Sequence, residues 1–120
     1  MIRTRIAALA TMAVTALAIA TTPAGAAPGD TQNVCASTLT PTGWVDVSWW
    51  NTASCGPTFS PNAKQMKNLI GYPVGTQVNA CASTYPPAGW TIVSSYYNSS
   101  CRYSAVPSLN PNTWTIKRTS

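Results

Sequence analysis

The sequence predicts an all-β protein: two tandem disulfide-stapled three-stranded antiparallel meanders, packed as one small domain with approximate two-fold symmetry. Two observations carry this prediction. One segment occurs twice without a gap, as Asn33–Gly56 and Asn79–Arg102, and each copy has a cysteine near either end. Between their turn residues, both copies are rich in aromatic and β-branched residues, which are typical of strands.

Residues 1–26 have the pattern of an export signal. Arg3 and Arg5 give a positive start, Ile6–Ala20 is apolar or small, and Ala24-Gly25-Ala26 is a typical cleavage site. The apolar run is too short to anchor the chain, so we expect no membrane span after cleavage. The sequence therefore predicts a signal peptide and a secreted, extracellular protein.

All four cysteines lie after the predicted cleavage site, and an even number in an exported chain indicates disulfides. Their wide spacing and the absence of histidine from the sequence disfavour a zinc site, so we predict no metal and no cofactor. Among the pairings open to four cysteines, the repeat favours Cys35–Cys55 with Cys81–Cys101. Each unit then closes on itself.

The first strand of each repeat carries the leading cysteine, over residues 33–38 and 79–84. A turn follows in both copies, at Pro41-Thr42-Gly43 and at Pro86-Pro87-Ala88-Gly89. Proline fixes φ and glycine accepts positive φ, so Gly43 and Gly89 are interpreted as structural residues.

The second strands are predicted over Trp44–Trp50 and Trp90–Tyr97, which are rich in aromatic and β-branched residues. A strict period of two would place Trp44 and Trp50 on one face of the first sheet and Trp49 on the other. Small polar residues end both strands before the second cysteine.

The third element is Asn62–Lys67 in one copy and Asn112–Lys117 in the other. The second copy alternates apolar and polar residues and reads as a strand, whereas residues 61–70 fit either a strand or a short helix. We favour the strand because a repeat should preserve its element type. The predicted organisation is a single β domain over 27–120, with repeats at 33–68 and 79–118 joined by a linker at 69–78.

The combined pattern resembles a group of small exported bacterial proteins built from tandem C-A-S-x-x-P-x-G-W … S-C … N-x-x-x-I-K units. It covers Asn33–Lys117. The residues that carry it, each with a partner in the second copy, are Cys35-Ala36-Ser37, Pro41, Gly43-Trp44, Ser54-Cys55 and Asn62–Lys67. Met66 stands where the motif has isoleucine. The resemblance implies repeat architecture and export, and no mechanism.

The side-chain inventory argues against catalysis. The sequence has no histidine and no glutamate, and its only carboxylate side chains are those of Asp30 and Asp46. Glycosidase chemistry needs two facing carboxylates, and serine or cysteine triads need a base, so we predict that the protein is not an enzyme. Lys64 and Lys67 are interpreted as solvated side chains. The formal net charge of +5 includes no basic run, so we expect no nucleic-acid partner.

The aromatic residues are the strongest functional signal: five tryptophans, five tyrosines and one phenylalanine. Trp44 and Trp90 recur directly after the turn glycine, so both are interpreted as core residues. The candidate binding surface comprises Trp49, Trp50, Tyr96 and Tyr97. Flat rings beside Asn and Ser suit sugar stacking or protein contact, and they suit cross-strand pairs that stiffen a sheet equally well.

The predicted function is a secreted, non-enzymatic binding module for cell-envelope or host glycans or for another exported protein. One alternative is a small secreted inhibitor or antagonistic toxin, which would present proline-rich loops to an enzyme cleft. Another is a structural component of an extracellular matrix. The sequence identifies neither the ligand nor the oligomeric state.

Overall fold

The computed structural model describes residues 26–104, 106 and 108–120, so the predicted signal peptide lies outside the described residues except for Ala26. Within the described residues the chain forms β-strands and two short 3-10 turns. The strands are β1 (Thr31–Cys35), β2 (Trp44–Trp50), β3 (Ala63–Asn68), β4 (Gln77–Cys81), β5 (Trp90–Tyr96) and β6 (Thr113–Arg118). The first 3-10 turn is Ala53–Cys55 and the second is Ser99–Cys101. The all-β class is therefore confirmed.

Both predicted disulfides are present. Cys35 and Cys55 have their Cα atoms 5.5 Å apart, and for Cys81 and Cys101 the separation is 5.1 Å. Each bond joins the end of a first strand to the 3-10 turn that follows the second strand of the same repeat. In the chain-entropy model, each loop of this size stabilises the fold by about 3 kcal/mol.

In each repeat the third strand lies between the other two. The sheet orders are β1-β3-β2 and β4-β6-β5, and all neighbours are antiparallel. Two three-stranded antiparallel sheets are thus confirmed, but the predicted meander order is wrong, because a meander places the second strand in the middle. The disulfide explains the difference. It holds the ends of the first two strands together, so these run parallel and the third strand returns between them.

β3 settles the choice between strand and helix for residues 61–70 in favour of the strand, and Asn62 shows why an asparagine recurs before it. The Asn62 side chain accepts a hydrogen bond from the Thr52 backbone N–H at 2.8 Å and donates one to the Thr52 carbonyl at 2.9 Å. Asn112 makes the same two bonds to Asn98, at 2.8 and 3.0 Å. Each asparagine therefore fixes the chain just after a second strand.

Both second strands contain a β-bulge at the same position. The pairing shifts between Asp46 and Ser48 in β2, and between Ile92 and Ser94 in β5. The extra residue in the bulged strand reverses the alternation of faces for the rest of that strand. In β2 and in β5, the strict alternation of side chains between the two sheet faces therefore fails in the second half of the strand.

The bulge corrects the predicted faces of two tryptophans. Trp44 pairs with Asn68 and Trp49 pairs with Lys64, and these two partners point to the same side of β3. Trp49 therefore shares a face with Trp44, and Trp50 lies on the opposite face. The prediction from strict alternation, which puts Trp50 on the same face as Trp44, is therefore wrong.

The turn before each second strand requires glycine. Gly43 and Gly89 have φ angles of +87° and +89°, a conformation that side-chain-bearing residues rarely adopt. The Trp44 backbone N–H donates to the Pro41 carbonyl at 3.1 Å, and the second repeat makes the same bond. A Cβ atom on Gly43 would lie 2.6 Å from the Ile70 side chain, which would have to move.

One apolar core joins the two sheets. Its buried residues come from the first repeat and linker on one side and from the second repeat on the other: Val45, Leu69, Val78, Ala80 and Ile116. Partly buried residues that pack against them are Val47, Tyr72, Trp90 and Trp114. Because both repeats contribute residues to this core, each repeat depends on the other for its apolar burial.

The two repeats meet through unlike surfaces. β2 of the first repeat packs on β4 and on the second 3-10 turn. A two-fold axis would also pack β5 on β1 and on the first 3-10 turn, and the described residues show no comparable packing there. The predicted two-fold symmetry is therefore wrong, and the repeats follow one another head to tail. The cause is compositional: β2 has Val45 and Asp46 where β5 has Thr91 and Ile92.

Candidate ligand-binding groove between the repeats

The junction of the two repeats contains several positions at which the copies differ in chemistry. Its first-repeat side has Asp46, Trp49 and Lys64, with Trp49 and Lys64 paired across the sheet. The residues at the corresponding positions of the second repeat are Ile92, Ser95 and Trp114. The repeat thus supplies a common scaffold, and the exchanged side chains make the junction polar and aromatic.

Asp46 holds the junction together. Its side chain is only 2% exposed. One carboxylate oxygen accepts a hydrogen bond from the Thr40 hydroxyl at 2.6 Å and lies 3.4 Å from the Lys64 ammonium. The other accepts from the Ser83 and Thr84 hydroxyls, at 3.0 and 2.6 Å. Because Ser83 and Thr84 belong to the second repeat, this carboxylate joins the repeats with its hydrogen-bonding capacity filled.

Lys64 is not the solvated side chain that the sequence predicted. It is 5% exposed, and besides its ion pair with Asp46 it donates a hydrogen bond to the Thr40 hydroxyl at 2.8 Å. Its ammonium also lies 5.6 Å from the centroid of the Trp49 ring, within the range of a cation–π contact. Burial of this charge is tolerated because the Asp46 carboxylate opposes it.

Trp49 is held in place from several directions. Its indole N–H donates a hydrogen bond to the Ser83 hydroxyl at 2.9 Å, across the junction. The Tyr103 ring lies with its centroid 6.1 Å away at an interplanar angle of 50°. Together with the Lys64 contact, these interactions give the indole a fixed orientation before any ligand arrives.

An open groove of about 490 Å³ runs along this junction. Its lining combines polar residues such as Thr38 with four aromatic or apolar side chains: Leu39, Trp49, Tyr85 and Tyr103. Tyr85 is 84% exposed, and its ring lies 5.8 Å from that of Trp114 at an angle of 31°. The groove therefore presents flat rings to solvent above a buried polar network.

The four predicted surface aromatics do not form one surface. Trp49 lines the groove. Trp50 and Tyr96 occupy equivalent positions, on the sheet faces opposite to Trp49 and to its counterpart, and both are partly buried. Tyr97 follows β5 and is also partly buried. None of these three lines the groove, so a role for them in binding stays a prediction.

The two repeated tryptophans differ in burial. Trp44 is 2% exposed, and its indole N–H has no hydrogen-bond partner among the described residues. Trp90 is partly buried, packs against the shared core and makes an edge contact with Tyr72, at a centroid distance of 6.2 Å. Both positions contribute to packing.

Sequence reasoning missed Tyr85 and Tyr103 as groove residues. Both occupy places where the first repeat has an unlike side chain, Leu39 and Pro57. A position-by-position comparison of the two copies outside the second strand would have indicated both residues. That comparison identifies exposed aromatics that the repeat itself does not require.

Other chemistry in the described part of the chain is sparse. Across residues 26–104, 106 and 108–120, no three side chains of His, Cys, Asp or Glu come together as a metal-binding group. The same residues form no helix of the length and apolarity needed to cross a membrane. No family model, curated protein or solved structure matches this chain.

Proposed function

We propose that the protein is a secreted, non-enzymatic binding module whose inter-repeat groove binds a neutral glycan. The observation that carries this proposal is the fixed Trp49 ring, which lies beside the exposed rings of Tyr85 and Tyr103 in an open groove. The apolar faces of sugar rings stack on flat aromatic side chains, while their hydroxyls stay hydrogen-bonded to polar groups or water.

The charge distribution favours a neutral ligand. The Lys64 ammonium lies over the Trp49 ring, and Asp46 neutralises it within the wall of the groove. The Lys64 ammonium could bind an anionic ligand only by giving up its contacts with Asp46 and Thr40, which would disrupt the inter-repeat network. An uncharged saccharide leaves that network intact and uses only the exposed rings.

The open shape of the groove favours an extended saccharide chain over a small ligand that would be enclosed. Tyr85 and Leu39 belong to the turns of different repeats and stand almost fully exposed at the rim of the groove. Enclosed pockets suit small ligands, whereas an open groove with separated rings suits several linked sugar units. The expected ligand is therefore a neutral oligosaccharide or polysaccharide.

The direct test is titration of the exported chain with soluble oligomers of neutral β-linked glucose and of N-acetylglucosamine. Tryptophan fluorescence and calorimetry are the readouts. Trp49→Ala and Tyr103→Ala should each weaken binding about tenfold or more, a loss of about 1.4 kcal/mol. Trp50→Ala is the matched control, because this ring lies on the opposite face and should leave affinity unchanged.

Two outcomes would contradict the proposal. In one, no neutral oligosaccharide changes the fluorescence or releases heat at millimolar concentration. In the other, Trp50→Ala weakens binding as much as Trp49→Ala does. A polyanionic glycan serves as comparator, and its tighter binding would contradict the assignment of a neutral ligand.

A second candidate function, a secreted inhibitor, rests on a different feature. The segment between Cys101 and Asn112 is longer than its first-repeat counterpart and exposes Val106 and Leu109. A segment held at both ends that exposes apolar residues suits insertion into an enzyme cleft. Assays against secreted proteases test this function, and Leu109→Asp should abolish any inhibition while it leaves glycan binding unchanged.

A further inference from the structure

The contact between the two repeats uses two unlike surfaces. One is the surface of β2, and the other consists of β4, the Ser83–Thr84 segment and the second 3-10 turn. We call these the strand-2 surface and the strand-1 surface. Because the chain contains two repeats, each surface occurs twice, and only one copy of each takes part in the internal contact.

The unused strand-2 surface belongs to β5. Its central residues Ile92 and Val93 are 42% and 50% exposed, and their neighbours Thr91, Ser94 and Ser95 are exposed as well. In the used copy, β2, the corresponding residues are buried or partly buried. The difference arises because β2 is covered by the second repeat, whereas nothing among the described residues covers β5 in the same way.

The unused strand-1 surface belongs to the first repeat. Thr31–Asn33 of β1 and the following Ser37–Thr38 segment are exposed. In the used copy, Val78, Ala80 and both cysteines of the second repeat are buried. Cys35 and Cys55 of the first repeat are only partly buried. The same elements thus lie at an interface in one repeat and at the surface in the other.

Neither unused edge has the charges that usually protect an open sheet edge. β1 reads TQNVC and β5 reads WTIVSSY, and both lie at an edge of their sheet. Natural proteins commonly block such edges with lysine, with proline or with charged side chains that point inward. The bulge in β5 gives partial protection from direct strand pairing, yet it leaves Ile92 and Val93 exposed.

From these observations we infer that copies of this chain associate head to tail: β5 of one copy packs against β1 and the Ser37–Thr38 segment of the next. The contact repeats the geometry that joins the repeats within the chain. A contact between unlike surfaces does not close on itself as a dimer, so it adds copies in series. This inference goes beyond glycan binding and does not depend on it.

The contact between copies should be weaker than the internal one. Asp46 accepts two hydrogen bonds from Ser83 and Thr84 within the chain, and Ile92 stands at its equivalent position in the second repeat. Apolar burial of Ile92 and Val93 replaces these charge-assisted bonds. We therefore expect reversible association that depends on concentration, with a dissociation constant between about 1 µM and 1 mM for each contact.

The test is sedimentation analysis of the exported chain over that concentration range, together with two surface variants. Ile92→Lys/Val93→Lys changes only the β5 surface, and Gln32→Arg/Ser37→Arg changes only the β1 surface. All four residues are exposed, so both variants should melt like the wild type. Val74→Lys, in the exposed linker, is the matched control for an exposed valine.

The wild type and the Val74→Lys control should show a mass that rises with concentration, and each surface variant alone should remain monomeric. An equimolar mixture of the two variants should form a dimer and nothing larger, because only one intact pair of surfaces remains. A monomeric wild type over the whole range would overturn the inference. Self-association by the β1-surface variant would overturn it as well, since it indicates pairing of β5 with β5.

Discussion

β2 and β5 have the same length, the same turn glycine before them and the same bulge, yet they serve different purposes. Val45 of β2 is fully buried in the shared core and Asp46 joins the repeats, whereas Thr91 and Ile92 of β5 face outward. The comparison separates two kinds of position. Those shared by both repeats maintain the geometry of the sheet, and those that differ decide what each sheet contacts.

Loss of a repeated tryptophan should have the largest effect on stability. Trp44→Ala and Trp90→Ala should each lower the free energy of unfolding, by about 3–5 kcal/mol for a fully buried ring. Trp44 should be the more costly of the two, because it is buried and Trp90 is only partly buried. Chemical denaturation with disulfides intact measures both. Wild-type stability for either variant would show that the shared tryptophans are dispensable for the sheet.

The Trp44 site also allows a milder substitution. Its indole N–H is buried without a partner, so Trp44→Phe removes an unsatisfied donor along with part of the ring. We expect Trp44→Phe to cost less than half of what Trp44→Ala costs. Equal losses would mean that ring size, rather than apolar burial, dominates at this position.

Asp46→Asn tests the position at which the two second strands differ most. It leaves the buried Lys64 ammonium without its counter-charge, which should lower the free energy of unfolding by about 3 kcal/mol. The double variant Asp46→Asn/Lys64→Met removes both charges and should regain most of that loss. If the double variant is no more stable than the single one, the uncompensated charge is not the cause.

Exchanging the residue types at equivalent positions of β2 and β5 gives a second test, with a smaller expected change in stability. Val45→Thr places a hydroxyl in the shared core and should cost about 2 kcal/mol. Thr91→Val makes the opposite change on an exposed strand and should alter stability by less than about 0.5 kcal/mol. Thermal melts of the two variants compare them directly. Equal losses would contradict the different burial of the two strands.

The parts of the fold that could be predicted from the sequence depend on local pattern and on the repeat. Aromatic and β-branched runs, turn glycines and cysteine spacing all act within a few residues or within one unit, so the strands and both disulfides were predicted. Strand order depends on which distant segments pair. The Cys35–Cys55 bond brings the ends of the first two strands together, which favours a parallel arrangement of these strands over a meander.

The candidate site could be predicted only in part. Trp49 was identified, but its face was wrong because no glycine or other distinctive residue marks the bulge around Val47. Lys64 was read as solvated because its partner Asp46 lies on a different strand. Tyr85 and Tyr103 reach the groove only through the head-to-tail packing of the repeats, which the predicted two-fold symmetry excluded.

The smallest expected effect concerns the recurring asparagines. Asn62→Ala removes the two bonds to Thr52 and a third, from its amide to the Gly56 carbonyl at 3.0 Å, all from a buried side chain. Asn112→Ala removes the equivalent pair and a third bond, which its side-chain oxygen accepts from the Thr113 hydroxyl at 2.9 Å, so we expect a loss of about 2 kcal/mol for each variant. Asn62→Asp is the control. It keeps the acceptor for the Thr52 N–H but places an unpaired carboxylate oxygen against the Thr52 and Gly56 carbonyls at a buried site, and it should therefore cost at least as much as Asn62→Ala. Denaturant unfolding of the three variants provides the comparison. A larger loss for Asn112→Ala would show that the second repeat, despite its more exposed β5, depends more on the hydrogen bonds of Asn112 than on packing against the first repeat.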